Sequence, residues 1–290
     1  MKLYKYTTLD AAVKIIENQQ IHFARMSDFN DPFEGAFVDS PEDLKGFEAD
    51  SYPFLLREGI INNFVILSLT RSPFNSLMWA HYGNAHSGCV IEIDVDKAGF
   101  NDANLCSVPA DYGDIIYTTS KPNYEKAKMV ESSPKSYENF SPEKYLAMKA
   151  AFLNKQTSWA YEEEVRVVKP LSIQQKERSN FQNQAGIWSI KVKPTYEYRN
   201  GQDEIKTPFQ INNFMNLFSL PRECVTQIFI GSKLKRLSVA PSHQKHYQSD
   251  PDFFNIPNLR KIESYGIKVS STSAMTTTRS IDVHQHNIID

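Results

Sequence analysis

The segment that most constrains the fold is the apolar run at residues 64–71, which reads FVILSLTR. A nearly continuous apolar run of this length predicts a strand that is buried on both faces near its start. Such a strand belongs to a sheet that carries a packed layer on each side.

The rest of the chain alternates strand and helix patterns at irregular spacing. Apolar runs and period-two alternation predict further strands at residues 2–6, 20–25, 88–94, 114–118, 163–169, 187–192 and 227–231. Helical stripes with start and stop signals predict helices at residues 7–18, at 75–82 and from Ser141 onward. Because the crossovers are irregular, an α+β fold is favoured over a doubly wound sheet.

Composition narrows the class of protein. The chain has 290 residues, which suits a single catalytic-type domain at 1–270, and its Ser/Thr-rich end predicts a flexible polar tail at 271–290. Three widely spaced cysteines fit a reducing, cytoplasmic compartment. No apolar run approaches 18 residues, so no membrane span is expected. With a net charge of −2, the chain as a whole is not expected to bind nucleic acid by non-specific electrostatic attraction.

The glutamate run at residues 162–164 is the first candidate for chemistry. Glu162 and Glu164 are two residues apart, so on a strand they lie on one face while Glu163 lies on the other. Two carboxylates on one face repel each other, and a shared ligand gives one reason for the arrangement. An edge strand that pairs the glutamates with lysines is the structural alternative. Arg166 follows at the same spacing, where it can pair with a carboxylate or receive a phosphate.

Three further groups of residues carry polar and aromatic side chains close together. The helix at 75–82 holds Trp79, His81 and Tyr82, which cannot all face a core. Asn30, Asp31 and Glu34 lie in an Asn-Asp-Pro turn, which is either structural or a ligand lid. The first strand carries Tyr4 and Tyr6 on one face and Lys5 on the other, and Trp159 precedes the glutamates as a core residue or a stacking platform.

In order, these groups resemble a bacterial family of uncharacterised domains. The resemblance rests on L-Y-K-Y at residues 3–6, F-N-D-P-F-E at 29–34, M-W-x-x-Y-x-x-x-H-x-G at 78–88, and K-x-x-x-W-x-x-E-x-E-x-R at 155–166. It covers roughly residues 2–169. It implies a component of bacterial stress or phage-defence systems, controlled by an antitoxin or chaperone protein.

The pattern also resembles ADP-ribosyltransferase toxins more distantly. Glu162-x-Glu164 is similar to their catalytic E-x-E strand, and Ser68 lies in a segment similar to their middle strand. Tyr4-Lys5-Tyr6 stands where that family carries an Arg or His for NAD. The resemblance implies an α+β fold with a split mixed or antiparallel sheet and flanking helices. It also implies transfer of ADP-ribose from NAD to a nucleic acid or a protein.

The same resemblance implies roles for individual residues. Glu164 would stabilise the cationic ribose, and Glu162 would activate the acceptor. The residues expected to bind NAD, by stacking or by holding its phosphates, are Tyr4, Lys5, Tyr6, Ser68, Trp79, Tyr82 and Arg166. The residues expected at the acceptor or in a lid are Asn30, Asp31, Glu34, His81 and Trp159.

Two other classes of function stay open on the sequence. A metal-dependent nuclease would use Asp31, Glu34, Glu162 and Glu164, although no D-x-K or E-x-K triplet accompanies them. His81 and His86 are poorly spaced for a helical metal pair, so a dedicated metal site is not expected. The second open class is a non-enzymatic module that binds a ligand or a protein.

Overall fold

The computed structural model of the chain describes residues 1–31, 61–120, 134–172, 196–199, 202–205, 216–234, 257–274 and 281–285. The described strands are β1 (Lys2–Thr7), β2 (Gln20–Phe23), β3 (Phe64–Thr70), β4 (Cys89–Asp94), β5 (Ile116–Thr118), β6 (Asn154–Gln156), β7 (Glu164–Pro170), β8 (Tyr196–Arg199), β9 (Gln202–Ile205), β10 (Asn216–Ser219), β11 (Val225–Ile230), β12 (Lys268–Ala274) and β13 (Ile281–Gln285). The described α-helices are α1 (Leu9–Asn18), α2 (Ser76–His81), α3 (Pro142–Phe152) and α4 (Pro257–Glu263). The predicted strand at 187–192 lies outside the described residues.

One mixed sheet organises the chain, and this confirms an α+β fold. Seven strands follow the order β13-β12-β11-β4-β1-β3-β7. The contact between β11 and β12 is parallel, and the other contacts in this sheet are antiparallel. The remaining described strands form the pairs β2–β10, β5–β6 and β8–β9.

Helices cover the two faces of this sheet. Val65, Leu67 and Leu69 of β3 belong to the core beneath α1 and α4. Phe64 and Ile66 alternate to the opposite face and pack in a second core with α3. The prediction that this strand is buried on both faces is therefore confirmed.

The sheet opens between β1 and β3. Strand β1 pairs with β4 from Lys2↔Asp94 to Thr7↔Cys89, but its ladder with β3 is limited to Tyr4↔Thr70. Further along β3, Ile66 instead exchanges two backbone hydrogen bonds of 2.8 Å with Ala24. The middle of β3 is thus unpaired on its β1 side, and the two strands separate there.

Two described stretches of the segment predicted as a flexible tail form strands. Residues 271–274 continue β12, and residues 281–285 form β13, which pairs with β12. Ser271 and Thr272 are buried, and the Thr272 hydroxyl donates to the Ile230 carbonyl at 2.8 Å. β-Branched and small polar side chains can fill strands near the edge of a sheet, so a composition poor in large apolar residues did not prevent pairing. None of the helices in the described part of the chain is long and apolar enough to cross a membrane.

Candidate functional site

A cleft of about 360 Å³ lies where the sheet opens. Tyr4, Lys5 and Tyr6 of β1 form one wall, and residues 68–70 of β3 form another. Because the strands separate at this point, side chains from both of them and from the next strand, β7, reach the same space. The opening in the sheet therefore creates the cleft.

Two carboxylates enter the cleft from the start of β7. Glu162 ends a 3-10 helix at Thr157–Glu162, and Glu164 begins the strand. Between them Glu163 adopts a left-handed conformation, with φ 44° and ψ 46°, and its side chain is exposed. The prediction that Glu163 faces away is confirmed. The expectation that Glu162 and Glu164 share one strand face is wrong, because the chain turns at Glu163 and this turn brings the carboxylates together.

Hydrogen bonds from β3 and β5 fix this turn. The Thr70 hydroxyl donates to the Glu162 carbonyl at 2.6 Å, and the Arg71 backbone N–H donates to the Glu163 carbonyl at 3.2 Å. The Glu164 backbone N–H donates to the Tyr117 hydroxyl oxygen at 2.8 Å. The backbone that carries both carboxylates is therefore held rigidly, as a binding or catalytic site requires.

Two cations pair with the carboxylates. The Lys155 ammonium lies 2.6 Å from Glu162 Oε2 and 3.0 Å from Glu164 Oε2. Arg166 reaches both oxygens of Glu164, with Nε 2.8 Å from Oε1 and Nη2 3.2 Å from Oε2. The prediction that Arg166 shares a face with Glu164 is confirmed. These four side chains form a buried ion cluster of two negative and two positive groups.

Neighbouring groups hold the two cations in place. Arg166 is fully buried, donates from Nη1 to the Phe152 carbonyl at 2.7 Å, and stacks on Phe29 with its guanidinium carbon 5.0 Å from the ring centre. The Lys155 ammonium lies 5.1 Å from the centre of the Trp159 ring. A Cβ at Gly113 would lie 2.0 Å from the Arg166 carbonyl oxygen, so this position admits only glycine beside β7.

Mutual pairing keeps Glu164 and Lys155 charged. Burial by itself would raise the pKa of Glu164, but Arg166 and Lys155 outweigh that effect and hold the pKa at about 2. Burial likewise would lower the pKa of Lys155, but Glu164 and Glu162 outweigh it and raise the pKa to about 12. At neutral pH Glu164 is therefore an anion and Lys155 a cation.

Tyr82 connects α2 to the ion cluster. Its hydroxyl donates to Glu162 Oε1 at 2.7 Å. Burial, together with the hydrogen bond to Glu162, raises the pKa of Tyr82 well above its ordinary value, while the Asn30 side chain beside the hydroxyl opposes this shift. The phenol therefore stays protonated and donates to the carboxylate. Asn75 caps α2 and also donates from Nδ2 to the Tyr161 carbonyl at 2.6 Å, which fixes the helix against residues 157–162.

Lys5 brings a further cation to the cleft. Its half-buried ammonium donates to the Ser68 carbonyl at 3.0 Å, in the part of β3 that β1 leaves unpaired. Burial lowers the pKa of Lys5, and the carboxylates of Glu164 and Glu162 oppose this effect. Lys5 therefore stands beside the ion cluster, and its described hydrogen bond is to a neutral backbone carbonyl.

The tyrosines of β1 line the cleft with fixed hydroxyls. Tyr4 donates to Glu92 at 3.2 Å, and Tyr6 donates to the Ser72 carbonyl at 3.2 Å. Tyr6 also packs edge-on against Trp79, with ring centres 5.3 Å apart. Trp79 itself is fully buried, and its indole N–H donates to the Pro73 carbonyl at 2.8 Å. Trp79 is thus a core residue that supports the wall, and the expectation that it stacks on a ligand is wrong.

The structure places some of the other residues expected at the site in the lining of the cleft and others outside it. Asn30, Ser68 and Arg166 line the cleft, whereas the lining among the described residues does not include Asp31, His81 or Trp159. Asp31 is buried, and His81 is exposed on α2. Trp159 stacks on Lys155 from outside the cleft, and Glu34 lies outside the described residues.

Sequence reasoning left several site residues unassigned. Lys155 was expected close to the glutamate pair but was given no role, and Asp28, Phe29 and Thr70 line the cleft without having been assigned one. Lys155 had a signal, because it opens the K-x-x-x-W-x-x-E-x-E-x-R pattern. Thr70 lies in the segment that resembles the middle strand of the toxins, but its contact with Glu162 depends on how β3 and β7 pair.

The fold and the site together define an α+β protein with a charged cleft in an opened mixed sheet. Residues 78–167, just under a third of the chain, match a family described as "Protein of unknown function (DUF2971)". The matched stretch contains Tyr82, Lys155, both carboxylates and Arg166. No curated protein and no solved structure matches the chain.

Proposed function

We propose that this protein is an ADP-ribosyltransferase that cleaves the nicotinamide–ribose bond of NAD and transfers ADP-ribose to an acceptor. The observation that carries the proposal is the convergence of Glu162 and Glu164 in a cleft at the opening between β1 and β3. A split sheet with an E-x-E pair at its edge is the arrangement implied by the resemblance to the toxins.

The chemistry of NAD cleavage suits buried carboxylates that are fixed in place. As the bond to nicotinamide breaks, positive charge builds at the ribose. A carboxylate that is already fixed in place stabilises this charge without reorganising, and it does so most effectively where water is excluded. The carboxylates of the ion cluster are 3% and 5% exposed and are held by Lys155, so they meet both conditions.

The remaining walls offer groups that complement the rest of NAD. Tyr4, Tyr6 and Tyr82 line the cleft and provide aromatic surface for the nicotinamide ring. Lys5 supplies an ammonium that is not part of an ion pair among the described residues and suits the pyrophosphate. The volume of about 360 Å³ is at the small end of the range for ligand pockets, so it encloses part of the dinucleotide.

A metal-dependent nuclease is less well supported by the same geometry. A divalent cation at Glu162 and Glu164 would have to displace the Lys155 ammonium and approach the Arg166 guanidinium. Within the described ranges, no three His, Cys, Asp or Glu side chains are grouped for metal binding. We therefore retain NAD over Mg²⁺ as the proposed ligand of the cleft.

The resemblance to defence-associated domains extends the proposal to a biological role. An enzyme that consumes NAD or modifies nucleic acid or protein would act as a toxin when no partner controls it. The proposed system is a toxin–antitoxin or phage-defence pair in which an antitoxin or chaperone protein holds the enzyme. Induced expression in bacteria should stop growth for the wild type and spare growth for Glu162→Gln at equal protein level; equal growth would remove the toxin role.

Incubation of the purified protein with labelled NAD and a cell lysate tests the proposed function. Label should enter RNA, DNA or protein, and treatment with nuclease or protease identifies which. Glu163→Gln is the matched control, because Glu163 is exposed and points away from the cleft. A lysate that stays unlabelled with the wild type, under conditions in which a known transferase labels it, would contradict the proposal.

A further inference from the structure

The two carboxylates of the ion cluster differ in how much hydrogen-bonding capacity they retain. An ionised carboxylate offers about four lone-pair positions. Glu164 accepts three hydrogen bonds, from Arg166 Nε, from Arg166 Nη2 and from Lys155. About three of its four acceptor positions are therefore occupied, and both cations of the cluster are bound to it.

Glu162 retains capacity. It accepts from the Tyr82 hydroxyl on Oε1 and from Lys155 on Oε2. Among the described residues these two donors occupy about half of its four positions. Glu162 lines the cleft beside Tyr82, so a ligand in the cleft can supply the missing donors.

We infer that Glu162 is the carboxylate that contacts the substrate, and that Glu164 is a positioning residue that acts through Lys155 and Arg166. This inference rests on the proposed function and assigns roles within the same site. It reverses the order of roles that the E-x-E resemblance implies, in which the second glutamate stabilises the ribose.

In the proposed reaction, a ribose hydroxyl donates to a free position on Glu162. The bond between ribose C1′ and the nicotinamide nitrogen breaks, and its electron pair leaves with nicotinamide, which becomes neutral. The acceptor oxygen or nitrogen, or water in its absence, forms the new bond to C1′ and releases its proton to solvent. The Glu162 carboxylate forms no bond to the sugar and stabilises the positive charge on the ribose.

Glu164 has a different effect in this arrangement. It anchors the Lys155 ammonium, which in turn holds Glu162 Oε2 at 2.6 Å. It also neutralises Arg166, which is fully buried. Removing its charge weakens the pairing of both buried cations, whereas removing the charge of Glu162 leaves both of them paired with Glu164. Taking one partner from a buried ion pair is strongly destabilising, so the loss should be larger at Glu164.

Three variants separate a contacting residue from a positioning residue: Glu162→Gln, Glu164→Gln, and the charge-balanced double variant Glu164→Gln with Arg166→Gln. The readouts are Tm, and kcat and KM for nicotinamide release from NAD. We expect Glu162→Gln to lower kcat by on the order of 100-fold, with KM close to wild type and a smaller loss of Tm than in Glu164→Gln, because both cations keep Glu164 as a partner. Glu164→Gln should lower Tm by on the order of 10 °C.

The double variant keeps the inference testable if Glu164→Gln folds poorly. It removes one negative and one positive charge together, so it should recover much of the lost Tm and turn over NAD at least about tenfold faster than Glu162→Gln. Turnover by Glu162→Gln near the wild-type rate would overturn the inference. So would a folded double variant as inactive as Glu162→Gln.

The design also distinguishes this inference from the proposed function. If the wild type releases no nicotinamide, the proposed function fails, while the Tm comparison still decides whether Glu164 is the structural member of the pair. Equal losses of Tm in Glu162→Gln and Glu164→Gln would reject that division of roles. Normal NAD turnover by the wild type with loss confined to Glu164→Gln would reject the inference alone.

Discussion

The ion pairs of Glu164 should make the stability of the protein depend on pH in a defined window. Its pKa lies at about 2 in the folded protein, against an ordinary value of 4.5. Because the folded pKa is the lower one, Glu164 stabilises the fold fully above pH 4.5, and this contribution is lost as the pH falls towards 2. A difference of this size corresponds to a free energy on the order of 3 kcal/mol.

Urea unfolding of the wild type and Glu164→Gln from pH 7 to pH 2 measures this contribution. At pH 7 the variant should be less stable by on the order of 3 kcal/mol. The two stability curves should approach each other between pH 4.5 and pH 2, because the Glu164 carboxylate binds a proton in the unfolded wild type while it stays ionised in the folded protein until about pH 2. Parallel curves across the whole range would show that Glu164 is not held as an anion by Arg166 and Lys155, and would refute the reasoning.

Three further substitutions test other parts of the site. Tyr82→Phe removes the hydroxyl that donates to Glu162, so turnover should fall by up to about tenfold with little change in Tm; unchanged turnover would contradict that contact. Lys5→Gln should weaken NAD binding by about tenfold or more in calorimetry while the circular dichroism spectrum stays the same, and full affinity would remove Lys5 from the phosphate site. Trp79→Ala should destabilise the protein by about 3–5 kcal/mol, since Trp79 is fully buried; a stable variant deficient only in NAD binding would restore Trp79 as a ligand residue.

Local patterns predicted most of the described sheet and part of the site. The apolar alternation at 64–71 and 163–169 gave strands β3 and β7 within a few residues of their observed bounds. The two-residue spacing between Glu164 and Arg166 placed them on one face because both lie within a regular strand. A period-two pattern therefore predicts correctly which side chains share a face wherever the strand is regular.

The position of Glu162 could not be predicted in this way. Its proximity to Glu164 depends on the left-handed backbone of Glu163, at φ 44°, and few non-glycine residues adopt this conformation. The sequence carries no glycine or asparagine there to signal the turn. The two carboxylates converge because the backbone turns at Glu163, and the period-two pattern of a strand cannot predict such a turn.

Tertiary pairing accounts for the other differences. The cleft exists because β1 and β3 separate after the pair Tyr4↔Thr70. Local sequence patterns do not predict where the pairing of two strands ends. β12 and β13 are polar in composition, yet they pair with each other, and β12 also pairs with β11. Trp79 lies on a short helix whose burial depends on packing with Tyr6 and Phe229.

The most direct test of the central claim is the release of nicotinamide from NAD by the purified protein, followed by chromatography and mass spectrometry. When water is the acceptor, each protein should release one ADP-ribose for each nicotinamide. Glu163→Gln should do so at the same rate as the wild type. Glu162→Gln, at the same concentration and at a temperature well below its Tm, should release on the order of 100-fold less. Intact NAD after prolonged incubation with the wild type, or equal release by the wild type and Glu162→Gln, would contradict the account.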